Sequence, residues 1–341
     1  MKKMSKSAQR IFILIAISVV SIAGILYFTV DERTGPALGN IKPMFLFALF
    51  GVWLAMLVAD AGAISLFTRA TGEHIGMFAA LKTTTVRMFF NIITPFSFGG
   101  QPFSVVSLKQ QGIPSGKGSS IVIIKLMTLS IFTQAGALLA FIFFHNQIST
   151  VKALNGIFMV SGLTGAGFIL LLTFGFLYPQ ALVKSITTIG RLLHAMHLVK
   201  DVRRLKRKVI MQTCDARRSY RKYFSHHLWL FISGFICNGA TYMSQLVLLW
   251  LILRGLGLEV PFVTGIVLAA MLLFLITFMP TPGAIGLGEA IFLILFAGTV
   301  PTYLLGIALI LWRFFYHYLS AILGAISSSE FMSDLLIKKE G

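Results

Sequence analysis

The sequence predicts an all-α, polytopic integral membrane protein, and three observations carry that expectation. Hydrophobic residues make up 57% of the 341 positions and charged residues only 12%, with a mean hydropathy of +0.87, well outside the composition of soluble domains. Apolar runs of about 20 residues, enough to cross a bilayer, recur along the chain. Two further apolar stretches, Ile75 to Val106 and Pro261 to Thr299, are each broken in the middle by glycine and proline. The predicted architecture is about six full transmembrane helices plus two re-entrant or broken helical segments, in a single domain spanning 1–341.

The six full spans fall at Ile11 to Val30, Pro43 to Phe67, Ser119 to Phe144, Leu154 to Leu177, Leu228 to Leu253 and Tyr303 to Ile326. The first has the apolar character of a signal peptide, but it is long and has no small-residue cleavage site before Asp31, so it reads as a retained anchor. Basic residues explain the net charge of +18 without a nucleic-acid partner. Lys2, Lys3, Lys6 and Arg10 precede the first span, Arg203, Arg204, Lys206, Arg207 and Lys208 crowd one long loop, and Lys338 and Lys339 lie near the C-terminus. The positive-inside rule therefore places both termini and that loop, residues 178–226, in the cytoplasm. This topology requires each broken stretch to enter and leave by one face. Within the loop, Leu182, Ile186, Ile189, Leu193 and Met196 recur at helical spacing among cations. That pattern fits either an amphipathic helix on anionic headgroups or a loop packed on the protein. Cys214 and Cys237 have no metal-binding spacing and no disulfide context.

The two interruptions are the most informative stretches. The first runs from Arg87 through Asn91, Thr94-Pro95 and Gly99-Gly100-Gln101-Pro102; the second is Pro280-Thr-Pro282-Gly283-Ala-Ile-Gly286-Leu-Gly288-Glu289. Irregular backbone at membrane depth persists only when it is enclosed by protein or lines a wet cavity. A broken segment in each half of a chain is the arrangement of transport sites. The Thr-Pro followed by Gly-Gln in one and Gly-Glu in the other forms a weak internal repeat, compatible with an inverted pair facing one cavity.

Charged residues inside apolar sequence need partners or water. Glu289 opens a new apolar run after Gly288, a favoured place for an acid at a helix start, and Arg313 lies about ten residues into the last span. The two are expected to pair, either beside a headgroup site or as a purely structural bridge. Arg87 has Asn91 one turn on, and a guanidinium fork matches a phosphate; the alternative is that Arg87 snorkels to the cytoplasmic surface. Lys125 is expected to snorkel, Asp60 to bridge to a residue such as Arg69, and Tyr316 to sit in an aromatic belt. Asn238, Thr241 and Gln245 form one polar stripe suited to bonding between helices or to lining a path. No zinc-protease, serine-hydrolase, dinucleotide or Walker motif is present in the sequence. The expectations are accordingly no enzyme activity, no catalytic residue, no metal and no cofactor.

At Asn91 through Pro102, at Pro280 through Glu289 and at Ile310-Leu-Trp-Arg313, the sequence resembles the lysylphosphatidylglycerol synthase/flippase transmembrane family, in the stand-alone form of its flippase-like domain. The resemblance implies a dimeric, lipid-translocating membrane domain that moves a phospholipid, such as aminoacylated phosphatidylglycerol or another anionic or zwitterionic lipid, between leaflets of the cell membrane. It implies a substrate path through Arg87, Asn91, Gly99, Gly100, Pro280, Gly283, Gly286, Glu289 and Arg313. Thr94, Pro95, Gln101, Pro282 and Gly288 complete the candidate substrate contacts from the same two segments. Gln101 stands where relatives often have Glu, and the chain ends at Gly341 with no transferase domain. A separate lipid-modifying synthase is therefore an expected partner. The reading from another class is a membrane-embedded enzyme or accessory factor acting on lipid or polyprenyl-phosphate intermediates, with Glu289, Asp60 and His317 as its available acid-base groups.

Overall fold

The computed structural model describes residues 27, 29–39, 42–94, 97, 99–148, 159, 162, 163, 165–167, 170 and 228–328. Most of the expected first and fourth spans, the basic loop 178–226 and Pro95 lie outside the described residues. Among the described residues the chain is helical, without strands. A short helix α1 (Thr34–Gly39) precedes α2 (Pro43–Ala70), α3 (Met77–Ile93), α4 (Gly100–Gln110), α5 (Ser115–Ile148), α6 (Leu228–Gly255) and α7 (Phe262–Thr277). A 3-10 turn at Pro282–Ala284 then leads to α8 (Leu287–Phe296) and to α9 (Thr302–Ser328). Four of these, α2, α5, α6 and α9, are long and apolar enough to cross a membrane, at the four expected positions that the described residues cover.

Local sequence sets the boundaries. Pro43, Pro261 and Pro301 stand at helix starts, where the missing N–H loses no bond. Helix α2 stops at Gly72, whose φ of 82° lets the Gly72 and Glu73 amides turn back onto the Arg69 and Thr68 carbonyls. α2 and α6 lie side by side, and small residues let them approach. Gly62 packs on Cys237, and a Cβ at Gly234 would come within 2.6 Å of the Phe67 ring.

Helix α7 is enclosed on every side: each residue from 267 to 276 is buried. Its 16 residues fall short of the roughly 20 of a crossing helix, and α8, with 10, packs against it. The other interruption has the same outline. α4 has 11 residues and returns along α3, with Phe90 stacked on Phe103 at 3.4 Å between ring centroids. The chain thus goes in along one arm and comes back along the other, as a re-entrant segment does. The tips of the two interruptions meet: α3 packs on the 3-10 turn, and a Cβ at Gly283 would lie 3.2 Å from the Ile92 carbonyl oxygen.

Candidate functional site

The first interruption is closed by its own polar side chains. Asn91 Oδ1 accepts from the Gly100 amide at 3.0 Å and Thr94 Oγ1 from the Gly99 amide at 2.9 Å. These are orphan donors of the first turn of α4, and the side chains cap them from the preceding helix. Backbone crowding explains the glycine pair: a Cβ at Gly100 would lie 2.3 Å from the Arg87 carbonyl oxygen, and one at Gly99 would strike Thr94. Asn91 and Thr94 therefore shape the tip, and Asn91 also borders the cavity described below.

The second interruption is closed by charge. Glu289, in the first turn of α8, accepts from the Gly286 amide at 2.6 Å and from Arg313 Nη2 at 2.8 Å, all through Oε2. Arg313, on α9, also donates Nη1 to the Gly283 carbonyl at 2.8 Å and Nη2 to the Ala284 carbonyl at 3.0 Å. One guanidinium thus fastens both the 3-10 turn and the start of α8 to the last helix. Both side chains are 1% exposed, so the pair is sealed by protein. Gly286 at φ 82° and Gly283 at 57° supply the left-handed backbone that the turn needs, while Ala284 adopts 54° with a Cβ. Gly288 must be small because a Cβ there would lie 2.7 Å from Arg313 Nη2. The Phe292 and Trp312 rings stack beside the pair at 5.5 Å. Just past Arg313, residues Phe314–Tyr318 form a π turn, which brings Tyr316 and His317 to the cavity wall.

A second charged group sits between the helices; here the expectations for Asp60 and Lys125 are corrected and the snorkelling alternative for Arg87 is set aside. Asp60 does not bridge to Arg69. Its Oδ2 accepts from Arg87 Nη2 at 2.8 Å and from Thr84 Oγ1 at 2.8 Å, and its Oδ1 from Lys125 Nζ at 2.5 Å. Arg69 is exposed, about 13 Å along α2 from Asp60 and on the helix's opposite side, because nine residues at 100° each amount to half a turn. Lys125 does not snorkel: it is 5% exposed, held on a helix that begins at Ser115 and so carries it one turn deeper than a start at Ser119. Arg87 does not snorkel either, its side chain being 10% exposed. An unpaired buried charge costs several kcal/mol, and pairing with one acid relieves both cations. Asn238 ties the same region together, donating to the Lys125 carbonyl at 3.1 Å and to Thr128 Oγ1. It serves as a bond between helices, while Gln245 from the same stripe reaches the cavity.

That cavity, about 480 Å3, lies between the two interruptions. Arg87, Asn91, Ser97 and Gln101 line it from the first, Gly283 and Ala284 from the second, and Asp60, Gln134, Gln245, Tyr316 and His317 from the surrounding helices. Tyr316 is thus a cavity residue stacked on Trp312, not an aromatic-belt anchor. Of the sequence-derived site residues, Gly99, Gly100 and Thr94 form the tip behind this wall, Pro280 is exposed, Pro282 opens the 3-10 turn, and Gly286 and Gly288 shape the start of α8. Glu289 and Arg313 brace the wall from outside the cavity. Asp60, Lys125, Gln134 and Gln245 were not in the sequence-derived set. Opposite charges within two apolar runs were the available signal for Asp60 and Lys125; Gln245 was marked by its place in the polar stripe with Asn238 and Thr241, and Gln134 had no signal beyond polarity. Among the described residues no group of three or more His, Cys, Asp or Glu side chains is placed to hold a metal.

Comparison with known proteins finds membrane-protein relatives over nearly the whole chain. A UPF0104 membrane protein of Archaeoglobus fulgidus is 25% identical over 332 residues, covering 92% of this chain and 94% of that protein. No solved structure matches the chain significantly. The family model described as the lysylphosphatidylglycerol synthase TM region matches residues 12–324. With nearly its whole length matched, this multi-pass membrane protein belongs to the lysylphosphatidylglycerol synthase TM region family.

Proposed function

We propose that the protein moves a phospholipid between the leaflets of the cytoplasmic membrane, with the headgroup passing through the cavity and the acyl chains remaining in lipid. The observation that carries this reading is the cavity itself, walled by both interrupted segments and presenting Arg87 between apolar helices. Its volume suits a headgroup. The membership in a membrane lipid-related family supports the same reading. In this account the protein is a transporter, not an enzyme, and Arg87 contacts the lipid phosphate. Glu289 and Arg313 hold the second wall in shape. The termini lie in the cytoplasm and the functional unit is a homodimer; a separate synthase modifies any lipid that requires it.

The test is reconstitution. Purified protein in vesicles carrying tail-labelled phospholipids is expected to expose inner-leaflet label to a membrane-impermeant quencher faster than protein-free vesicles, with the lipid recovered chemically unchanged. Transfer at the protein-free rate across a panel of phospholipids would sink the proposal. Recovery of a chemically altered lipid would instead favour an enzyme.

A further inference from the structure

The charges around the cavity are not balanced. Asp60 carries one negative charge and holds two cations, Arg87 and Lys125, so the cluster keeps one net positive charge. Arg87 and Asp60 are the members that border the cavity. Arg87 Nε is buried and without a hydrogen-bond partner, leaving the guanidinium incompletely satisfied. Among the described residues of the lining, Asp60 is the one acid, and three donors already occupy its carboxylate. Glu289 is closed under Arg313 and does not reach the cavity. The remaining polar wall consists largely of uncharged groups, including Gln101, Ser130, Thr133, Gln134 and Gln245.

A buried positive charge favours an anion, and a second cation brought beside it is repelled with little screening from water. Amides and hydroxyls both donate and accept, so they suit hydroxyl groups on a ligand. An ammonium, in contrast, needs an acceptor-rich or anionic site, and the one acid is already taken. We infer that the cavity selects lipids whose headgroup is a single-charged phosphodiester bearing uncharged hydroxyls, the phosphatidylglycerol class, against aminoacylated and zwitterionic lipids. The inference rests on the lipid-moving reading above and adds to it the charge class of the cargo. Discrimination arises as much from repulsion of the wrong headgroup as from attraction of the right one.

The test uses the full chain in phosphatidylcholine vesicles with trace tail-labelled phosphatidylglycerol, phosphatidylcholine or lysylphosphatidylglycerol. Phosphatidylglycerol is expected to move about tenfold faster than lysylphosphatidylglycerol, the scale of one hydrogen bond to a charged group. Gln245→Glu, nearly isosteric, puts an acid on the wall and is expected to narrow or reverse that ratio; Arg87→Gln is expected to erase it. In detergent, short-chain phosphatidylglycerol is expected to raise the melting temperature, whereas glycerophosphoglycerol at the same concentration is not. Equal or faster transfer of lysylphosphatidylglycerol by the wild type overturns the charge selection while leaving lipid transport standing. Selective stabilisation by phosphatidylglycerol without transfer of any lipid overturns transport and supports the selection. Equal stabilisation by glycerophosphoglycerol overturns the lipid as ligand, and an unchanged ratio in Gln245→Glu overturns the role of the wall's charge.

Discussion

Replacing Glu289 by Gln isolates the charge that holds the second interruption in place. Gln keeps a side-chain oxygen to accept from the Gly286 amide, so the start of α8 retains its cap. What is lost is the negative charge 2.8 Å from Arg313 Nη2, in a pair whose side chains are each 1% exposed. The guanidinium would remain buried against uncharged groups, the Gly283 and Ala284 carbonyls, the His317 ring nitrogen and the Trp312 ring. Breaking a buried pair from one side destabilises by about 3 to 5 kcal/mol. At about 2 °C per kcal/mol for a chain of this size, the melting temperature in detergent should fall by about 6 to 10 °C. A double-mutant cycle with Arg313→Met removes the stranded charge as well, and the coupling should be about 2 kcal/mol or more. An unchanged melting temperature in Glu289→Gln, or single effects that add to within about 0.5 kcal/mol, would refute the brace.

Other substitutions probe the remaining contacts by the same melting measurement. Asp60→Asn strands both Arg87 and Lys125 and should cost about 3 to 5 kcal/mol, whereas Lys125→Met leaves a one-to-one pair with Arg87 and should cost clearly less; the reverse order would contradict the shared carboxylate. Asn91→Ala should lose about 1 kcal/mol through the uncapped Gly100 amide, while Asn91→Asp should keep most of it. Gly288→Ala should cost about 1 to 3 kcal/mol by crowding Arg313 Nη2, and a neutral result would show that the turn yields more readily than its packing implies.

Particular residues show what could be read in the sequence. Glycine and proline at 94–102 and 280–288 marked both interruptions because they are the residues that break helical hydrogen bonding or need special backbone angles. The Glu289–Arg313 pair followed from two opposite charges in apolar sequence, although the sequence left open whether the pair lies beside a headgroup site or is purely structural. The partners of Asp60 were less accessible: Arg87 and Lys125 lie 27 and 65 residues away, and only helix packing brings them together. Arg69 was the near choice, yet helical geometry alone places it on the wrong side of α2. Asn91 was read as a ligand group because it shares a face with Arg87. Its capping of Gly100 depends on α4 folding back along α3, which no local pattern encodes. The π turn that brings Tyr316 and His317 to the cavity likewise has no sequence signature as plain as a proline.

The central claim is that a headgroup occupies the cavity between the two interruptions. Determining the structure of the protein in phosphatidylglycerol-containing nanodiscs tests it most directly. The account predicts headgroup density in the cavity, with a phosphate oxygen about 2.8 Å from the Arg87 guanidinium and with Glu289 and Arg313 still closed on each other. A cavity filled by acyl chains alone, or headgroup density bound elsewhere with Arg87 engaged only by Asp60, would contradict it.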